Sequence, residues 1–110
     1  MIDFFNDMTY VGIFPEGDDF ASSTVGSIET GMLVKLQVKW VDNVVTNIRY
    51  KVYGNQFAIA SMAFVAHWMI GKTRDEINAL DHQAVVDALS IPPINLYCAV
   101  LAREAVTTVL

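Results

Sequence analysis

The sequence predicts an α+β domain, a three-stranded antiparallel sheet followed by a helical C-terminal half packed on one face of that sheet. Three observations carry this. Hydrophobic periodicity changes once, at Gly54, from the two-residue alternation of a half-buried strand to the three- and four-residue steps of a helix. Every strand-like segment precedes that glycine and every helix-like one follows it, the order expected of α+β chains. Finally, Leu33, Lys35, Gln37 and Lys39 alternate with Val34, Leu36, Val38 and Trp40. The second set makes an apolar sheet face that only helices from the C-terminal half can cover. At 110 residues the chain is expected to be one domain, 1–110, burying roughly 65% of its unfolded surface.

Taken in order, residues 1–20 mix aromatics with Asp3, Asp7, Glu16, Asp18 and Asp19. Ile2, Phe5 and Met8 fall on one helical face, so a short helix is expected there, ended by the Pro15 and Gly17 loop. The acids read as a solvated edge. The strands are expected near Thr24 to Ile28, from Leu33 to Val41 and from Val44 to Tyr53, with Asp42-Asn43 as a two-residue hairpin loop tolerant of positive φ. After Gly54 a helix runs from Gln56 to Ile70, with Asn55 as N-cap and Gly71 as stop. Thr73-Arg74-Asp75-Glu76 is a capping box opening a short helix, and Asp81 caps another that reaches about Leu89. Pro92 and Pro93 break the chain, and each residue before a proline is pushed out of the helical region, so Ile91 to Asn95 is expected as an exposed extended turn. The last helix, Asn95 to about Val109, is expected to turn Leu96, Val100, Leu101 and Ala105 inward.

Composition excludes several functions. The net charge is -5 and the seven Lys and Arg are scattered, so no nucleic-acid face is expected. The longest apolar run falls far short of the roughly 20 residues that span a bilayer, and the N-terminus lacks the basic start of a signal peptide, so a cytoplasmic protein without a membrane partner is expected. One cysteine excludes an internal disulfide. The helix after Gly54 is apolar almost all round, and Phe57, Met62, Phe64, Val65 and Trp68 on it suggest self-association into a homo-oligomer.

Residue chemistry offers little for catalysis. His67 and His82 lie on different predicted helices with no partner at ligand spacing, and Cys98 on an amphipathic helix is by default a buried, inert thiol. No Gly-rich phosphate loop, Gly-x-Ser-x-Gly or His-Glu-x-x-His occurs. No enzyme is expected.

The order of segments says more. Ile2-Asp3, Val11-Gly12, Phe14, Val25-Gly26, Lys35-Leu36-Gln37, Tyr53-Gly54, Ala58-Ile59-Ala60-Ser61, Trp68, Gly71-Lys72-Thr73, Ile91-Pro92-Pro93-Ile94 and Leu96 to Leu101 follow a nearly colinear pattern. In it the chain resembles the IscU/NifU N-terminal family of iron–sulfur cluster assembly scaffolds. The resemblance implies that family's fold, a three-stranded sheet backed by helices. It also implies three ligand cysteines, an auxiliary aspartate and a histidine. The matching positions here are Thr30, Asn55 and Cys98 for the cysteines, Met32 for the aspartate and Tyr97 for the histidine, so only Cys98 retains ligand character. A cluster needs about four thiolate or imidazole ligands. No metal and no cofactor is therefore expected, making this a degenerate member of the family.

Ile91, Pro92, Pro93, Ile94 and Asn95 are similar to the segment by which such scaffolds engage an HscA-type chaperone, although Asn95 stands where the family has lysine. The resemblance implies a scaffold-like protein that does not hold a cluster itself and acts as an interaction partner in the pathway, with a cysteine desulfurase and the chaperone as partners. The alternative is a self-associating binding or structural module that kept the fold and left iron–sulfur assembly.

Overall fold

A computed structural model describes residues 3–110. Three strands, β1 (Ala21–Ser27), β2 (Met32–Val41) and β3 (Val44–Tyr53), form an antiparallel meander in the order β1-β2-β3. The hairpin between β2 and β3 is closed by Asp42 and Asn43, at φ 51° and 66°, the positive values a two-residue loop demands. In β2, Val34, Leu36 and Val38 are fully buried against the helices, as their alternation predicts. The opposite face is not bare. Gln37 is buried there, its Oε1 accepting from the Phe14 N–H at 2.8 Å, and Lys39 and Arg49 lie over the Phe14 ring.

The helices are α1 (Gln56–Met69), α2 (Arg74–Asn78), α3 (His82–Leu89) and α4 (Leu96–Thr108), with one turn of 3-10 helix, Pro93–Asn95, before the last. The caps are those the sequence predicts. Asn55 accepts from the Phe57 and Ala58 N–H groups, Thr73 and Glu76 exchange both bonds of a capping box, and Asp81 accepts from Ala84 N–H. Helices α1 and α4 close over one sheet face and α3 packs against both of them, with Met62, Val65, Ala66, Met69, Val85 and Val106 in the core.

Several expectations need correction. In place of an N-terminal helix over the described part of residues 2–8 there is a turn at residues 4–6, because the Asp3 carboxylate takes the Phe5 N–H at 3.1 Å and the Asn6 amide at 2.7 Å in competition with helical bonds. Ile2 lies outside the described residues. The first strand starts earlier than expected, at Ala21. Asp7 is not a solvated acid, since its Oδ2 lies 2.9 Å from His67 Nε2, between the Phe4 and Tyr10 rings that flank the imidazole. Burial opposes its ionisation, but bonds from Thr9 and His67 and the His67 charge outweigh this and hold it below the ordinary carboxylate range.

Helix α4 keeps only part of the expected inward face, Ala105 being buried and Leu101 packed against the core as expected. Cys98, Ala99, Ala102, Ala105 and Val106 are buried, whereas Leu96 and Val100 are 40% and 43% exposed. The reason is proximity, because small side chains let the helix lie close on β1, where Ser23 Oγ donates to the Ala105 carbonyl at 3.0 Å. Gly26 in β1 belongs to the same close approach. At φ 83° it adopts a left-handed conformation, and a Cβ there would run into the Met32 carbonyl oxygen and sit 2.8 Å from Leu101 Cδ2.

Two segments tie down the outer edge of β3. Tyr50 N–H donates to the Tyr10 carbonyl at 3.0 Å and Gly12 N–H to the Tyr50 carbonyl at 2.9 Å, while Gly71 N–H donates to the Val45 carbonyl and Val45 N–H to that of Lys72. The Tyr50 side chain is fully buried, and burial first, then the Asp7 charge, push its phenol up to about 12. A folded-state value above the unfolded 10.0 means that the associated stability is full below pH 10 and is lost as pH rises through 12. A two-unit gap corresponds to about 3 kcal/mol. Denaturant titrations between pH 9 and pH 12 should therefore show a decline that is markedly flatter in Tyr50→Phe, and equal slopes would refute the assignment.

Candidate functional site

Three elements meet at one end of the molecule. The β1–β2 turn brings Thr30 and Met32, the step from β3 into α1 brings Asn55, and the start of α4 brings Tyr97 and Cys98. A cavity of about 490 Å³ is lined by Thr30, Met32, Tyr97 and Glu104, among others. Gly54 lets the chain turn tightly from β3 into α1, since a Cβ on it would stand 2.7 Å from Ala58 Cβ. The five positions singled out from sequence thus lie together.

Asn55 is the hub of the cluster. Its Oδ1 already caps α1, accepting from Phe57 N–H at 3.0 Å and Ala58 N–H at 3.1 Å, and it also takes the Cys98 thiol at 3.6 Å. Its Nδ2 donates to the Tyr97 hydroxyl at 3.3 Å. Thr30 is held inside its own turn by exchanges with Ser27. Met32 is fully buried and its thioether belongs to the core. Burial pushes the Cys98 thiol above its ordinary value despite a bond with Tyr97, and the Tyr97 phenol is raised first by its bond to the Cys98 sulfur and then by the charge that sulfur can carry. Both groups are therefore neutral near pH 7.

This thiol should react slowly. Attack on iodoacetamide needs thiolate and access, and Cys98 is 0% exposed. At pH 8 the folded chain is expected to be alkylated at least about tenfold more slowly than the denatured chain, as read by mass spectrometry. Equal rates would mean that the thiol is open.

The comparisons with known proteins agree with this arrangement. The family model for the NifU-like N terminal domain matches residues 1–110. The chain belongs to that family. It is 34% identical over 108 residues to the iron–sulfur cluster assembly scaffold protein IscU of Escherichia coli strain K12, covering 96% of this chain and 84% of the relative. The IscU scaffold protein of Haemophilus influenzae is 30% identical over 108 residues, covering 96% and 86%. Among solved structures, the N-terminal part of a nitrogen-fixing NifU-like protein from Brucella abortus superposes with a TM-score of 0.72 at 24% identity, covering 96% of this chain and 85% of that one. A second fold match, at TM-score 0.73 and 13% identity over 94% of this chain and 88% of the other, is a protein described as a SUF-system cluster assembly scaffold from Fervidobacterium islandicum AW-1. This is a family of iron–sulfur cluster assembly scaffolds. No helix among the described residues is long and apolar enough to cross a membrane.

Within this family the other sequence-derived candidates fall as follows. Ile91 is buried, correcting the expectation of a wholly exposed turn; its N–H donates to the Val86 carbonyl at 3.2 Å. Pro92 is extended, but Pro93–Asn95 is a 3-10 turn, which leaves Ile94 83% exposed. Of the residues expected to drive self-association, Met62 and Val65 are fully buried within the chain and cannot reach a second copy. Phe57 and Phe64 are met edge-on by Phe5 and Phe4, Lys72 lies over Trp68, and Phe57, Phe64 and Trp68 all stay half-buried. His67 is bonded to Asp7, and no group of three or more His, Cys, Asp or Glu suited to a metal occurs among the described residues. Glu104 was missed at the site, although Tyr97, Val100, Leu101 and Glu104 stand at the spacing of one helix face, a signal the sequence does carry.

Proposed function

We propose that this chain works in iron–sulfur cluster assembly as a protein-interaction partner and does not itself hold a cluster. The observation that carries the reading is the state of the donor set. One thiol stands among a hydroxyl, a thioether, an amide and a phenol; the thiol and phenol are raised above their ordinary values, and the amide oxygen is engaged as a helix cap. A cluster takes about four thiolate or imidazole ligands, and this set fits neither the number nor the charge. What remains is surface. Ile94, Leu96, Tyr97 and Val100 are exposed apolar groups at the same end, with Tyr53 beside the turn into α1. Such a patch suits docking of a protein, and the family context makes a cysteine desulfurase and an HscA-type chaperone the partners to test.

The chain should be incubated anaerobically with iron, cysteine and a cysteine desulfurase, re-isolated, and analysed for colour, iron, sulfide and co-purifying desulfurase. The expected result is a protein that retains the desulfurase and carries no stoichiometric iron or sulfide. Stoichiometric iron and sulfide would overturn the cluster-free reading, and absence of retained desulfurase would overturn the desulfurase-partner reading.

A further inference from the structure

The outer sheet face gathers charge that lies scattered along the chain. Lys35, Lys39, Arg49 and Lys51, four of the seven Lys and Arg, stand on β2 and β3 at positions alternating with the buried Leu36, Val38, Ile48 and Tyr50, and so face away from the helices. Two of them are occupied. Lys39 pairs with Asp18 at 2.7 Å, Lys39 and Arg49 lie over the Phe14 ring, and Arg49 also donates to Asn47 Oδ1 and the Ile48 carbonyl. Lys35 and Lys51 are not. Both are exposed, and neither has an ion-pair partner among the described residues.

The β2–β3 register sets these two lysines directly opposite each other. Like charges so placed destabilise an antiparallel pair, because their Cβ atoms stand only about 5 Å apart. Lysines on an edge strand guard it against unwanted pairing, but Lys35 lies on the central strand, which has no edge to guard. Its neighbour on β1 is Thr24, which brings no charge to offset the pair. Beside the lysines the face turns apolar. A groove of about 300 Å³ is lined by Leu33, Lys35, Lys51, Val52 and Tyr53, with Leu33 opposite Tyr53. On each strand the ammonium and the apolar group are two residues apart, about 7 Å, the spacing of alternate side chains on an extended peptide. Lys35, Lys51 and Tyr53 are all exposed, so the groove is too open to enclose a free small molecule, whose sites bury most of it.

We infer that this face docks an acidic segment of a partner protein, a short extended stretch with a carboxylate set between Lys35 and Lys51 and an apolar side chain two residues away laid on Leu33 and Tyr53. Nucleic acid suits it poorly, since that affinity comes from neutralising many phosphates and two free lysines on a chain of net charge -5 offer few contacts. The inference does not rest on the cluster-assembly reading, because neither lysine is a former ligand position.

The test is a titration of the isotope-labelled full chain, followed by backbone amide shifts. The probes are the blocked pentapeptide Ser-Glu-Ser-Phe-Ser, its counterpart Ser-Gln-Ser-Phe-Ser, inorganic phosphate and a thymidine pentanucleotide. The expected result is saturable shifts at Leu33, Lys35, Lys51 and Tyr53, with the glutamate peptide binding about fivefold more tightly than the glutamine one at low salt, the most an exposed ion pair supplies. Salt at about 0.5 M should remove that difference. Lys51→Glu should erase the preference for glutamate and, by setting opposite charges across the strands, raise Tm. A lowered Tm in that variant would assign the lysine pair to the fold and overturn the proposal. Equal affinities for the two peptides in the unmodified chain, a preference undiminished in Lys51→Glu, or tighter binding of phosphate or the oligonucleotide to the same amides would each overturn it as well.

Discussion

The fourfold variant Thr30→Cys, Met32→Asp, Asn55→Cys and Tyr97→His is expected to bind one divalent zinc per chain, and to depend on it for stability. The backbone already brings these positions together with Cys98, so the variant has three thiols, a carboxylate and an imidazole at one end of the fold. Zinc takes four such ligands in a tetrahedral site. Without metal the same changes are costly. Met32 is 1% exposed, so its replacement places a carboxylate in the core, and loss of the Asn55 cap removes a further ~1 kcal/mol. With zinc at a thousand times its dissociation constant, about 4 kcal/mol returns. For a domain near this size each kcal/mol moves Tm by about 4–8 °C. Calorimetry with and without zinc should show a rise of at least ten degrees or so, on that scale, in the variant and none in the parent. A variant indifferent to zinc would mean that the ligand positions are not superposable with a working site.

Gly26→Ala is expected to destabilise the chain by about 3 kcal/mol or more, the sum of an unfavourable positive φ and an overpacked contact. Both causes are present at once. The residue sits at φ 83°, and the new methyl would collide with the Met32 carbonyl, which cannot move without disturbing the β1–β2 pairing of Ser27 with Met32. Leu101 can yield, the carbonyl cannot. Urea unfolding is the measurement, and a loss under ~1 kcal/mol would show that the strand relaxes around the methyl at little cost.

How far the sequence could be read depended on whether a signal was local. Strand β3 and helix α1 were legible almost to the residue, because Asp42-Asn43, Gly54, Asn55 and Gly71 mark their ends with conformations or caps that act over a few residues. The inward face of α4 was legible only in part. Its pattern offers both Leu96-Val100 and Cys98-Ala99-Ala102, and size favours the first; only the distance to β1, a tertiary quantity, selects the second. Ile91 was misplaced for a similar reason, since its prolines fix its backbone but say nothing about the core beneath α3. The convergence of Thr30, Met32, Asn55, Tyr97 and Cys98 came from segment order, not from residue chemistry. The lysine pair on the outer sheet face left no mark, because Lys35 and Lys51 are neighbours only once β2 and β3 are in register.

The N-terminal strap on β3 makes this domain separable in time as well as in space. Its two backbone bonds, Tyr50 to Tyr10 and Gly12 to Tyr50, hold a segment with no other ladder, whereas the amides of β2 lie between two strands. With side-chain anchors such as Asp7 on His67 and Phe5 on Phe57 but no ladder behind it, the strap can lift while the sheet stays closed, and hydrogen exchange at Tyr50 and Gly12 is expected to run through a local opening, faster than exchange at Leu36 or Val38.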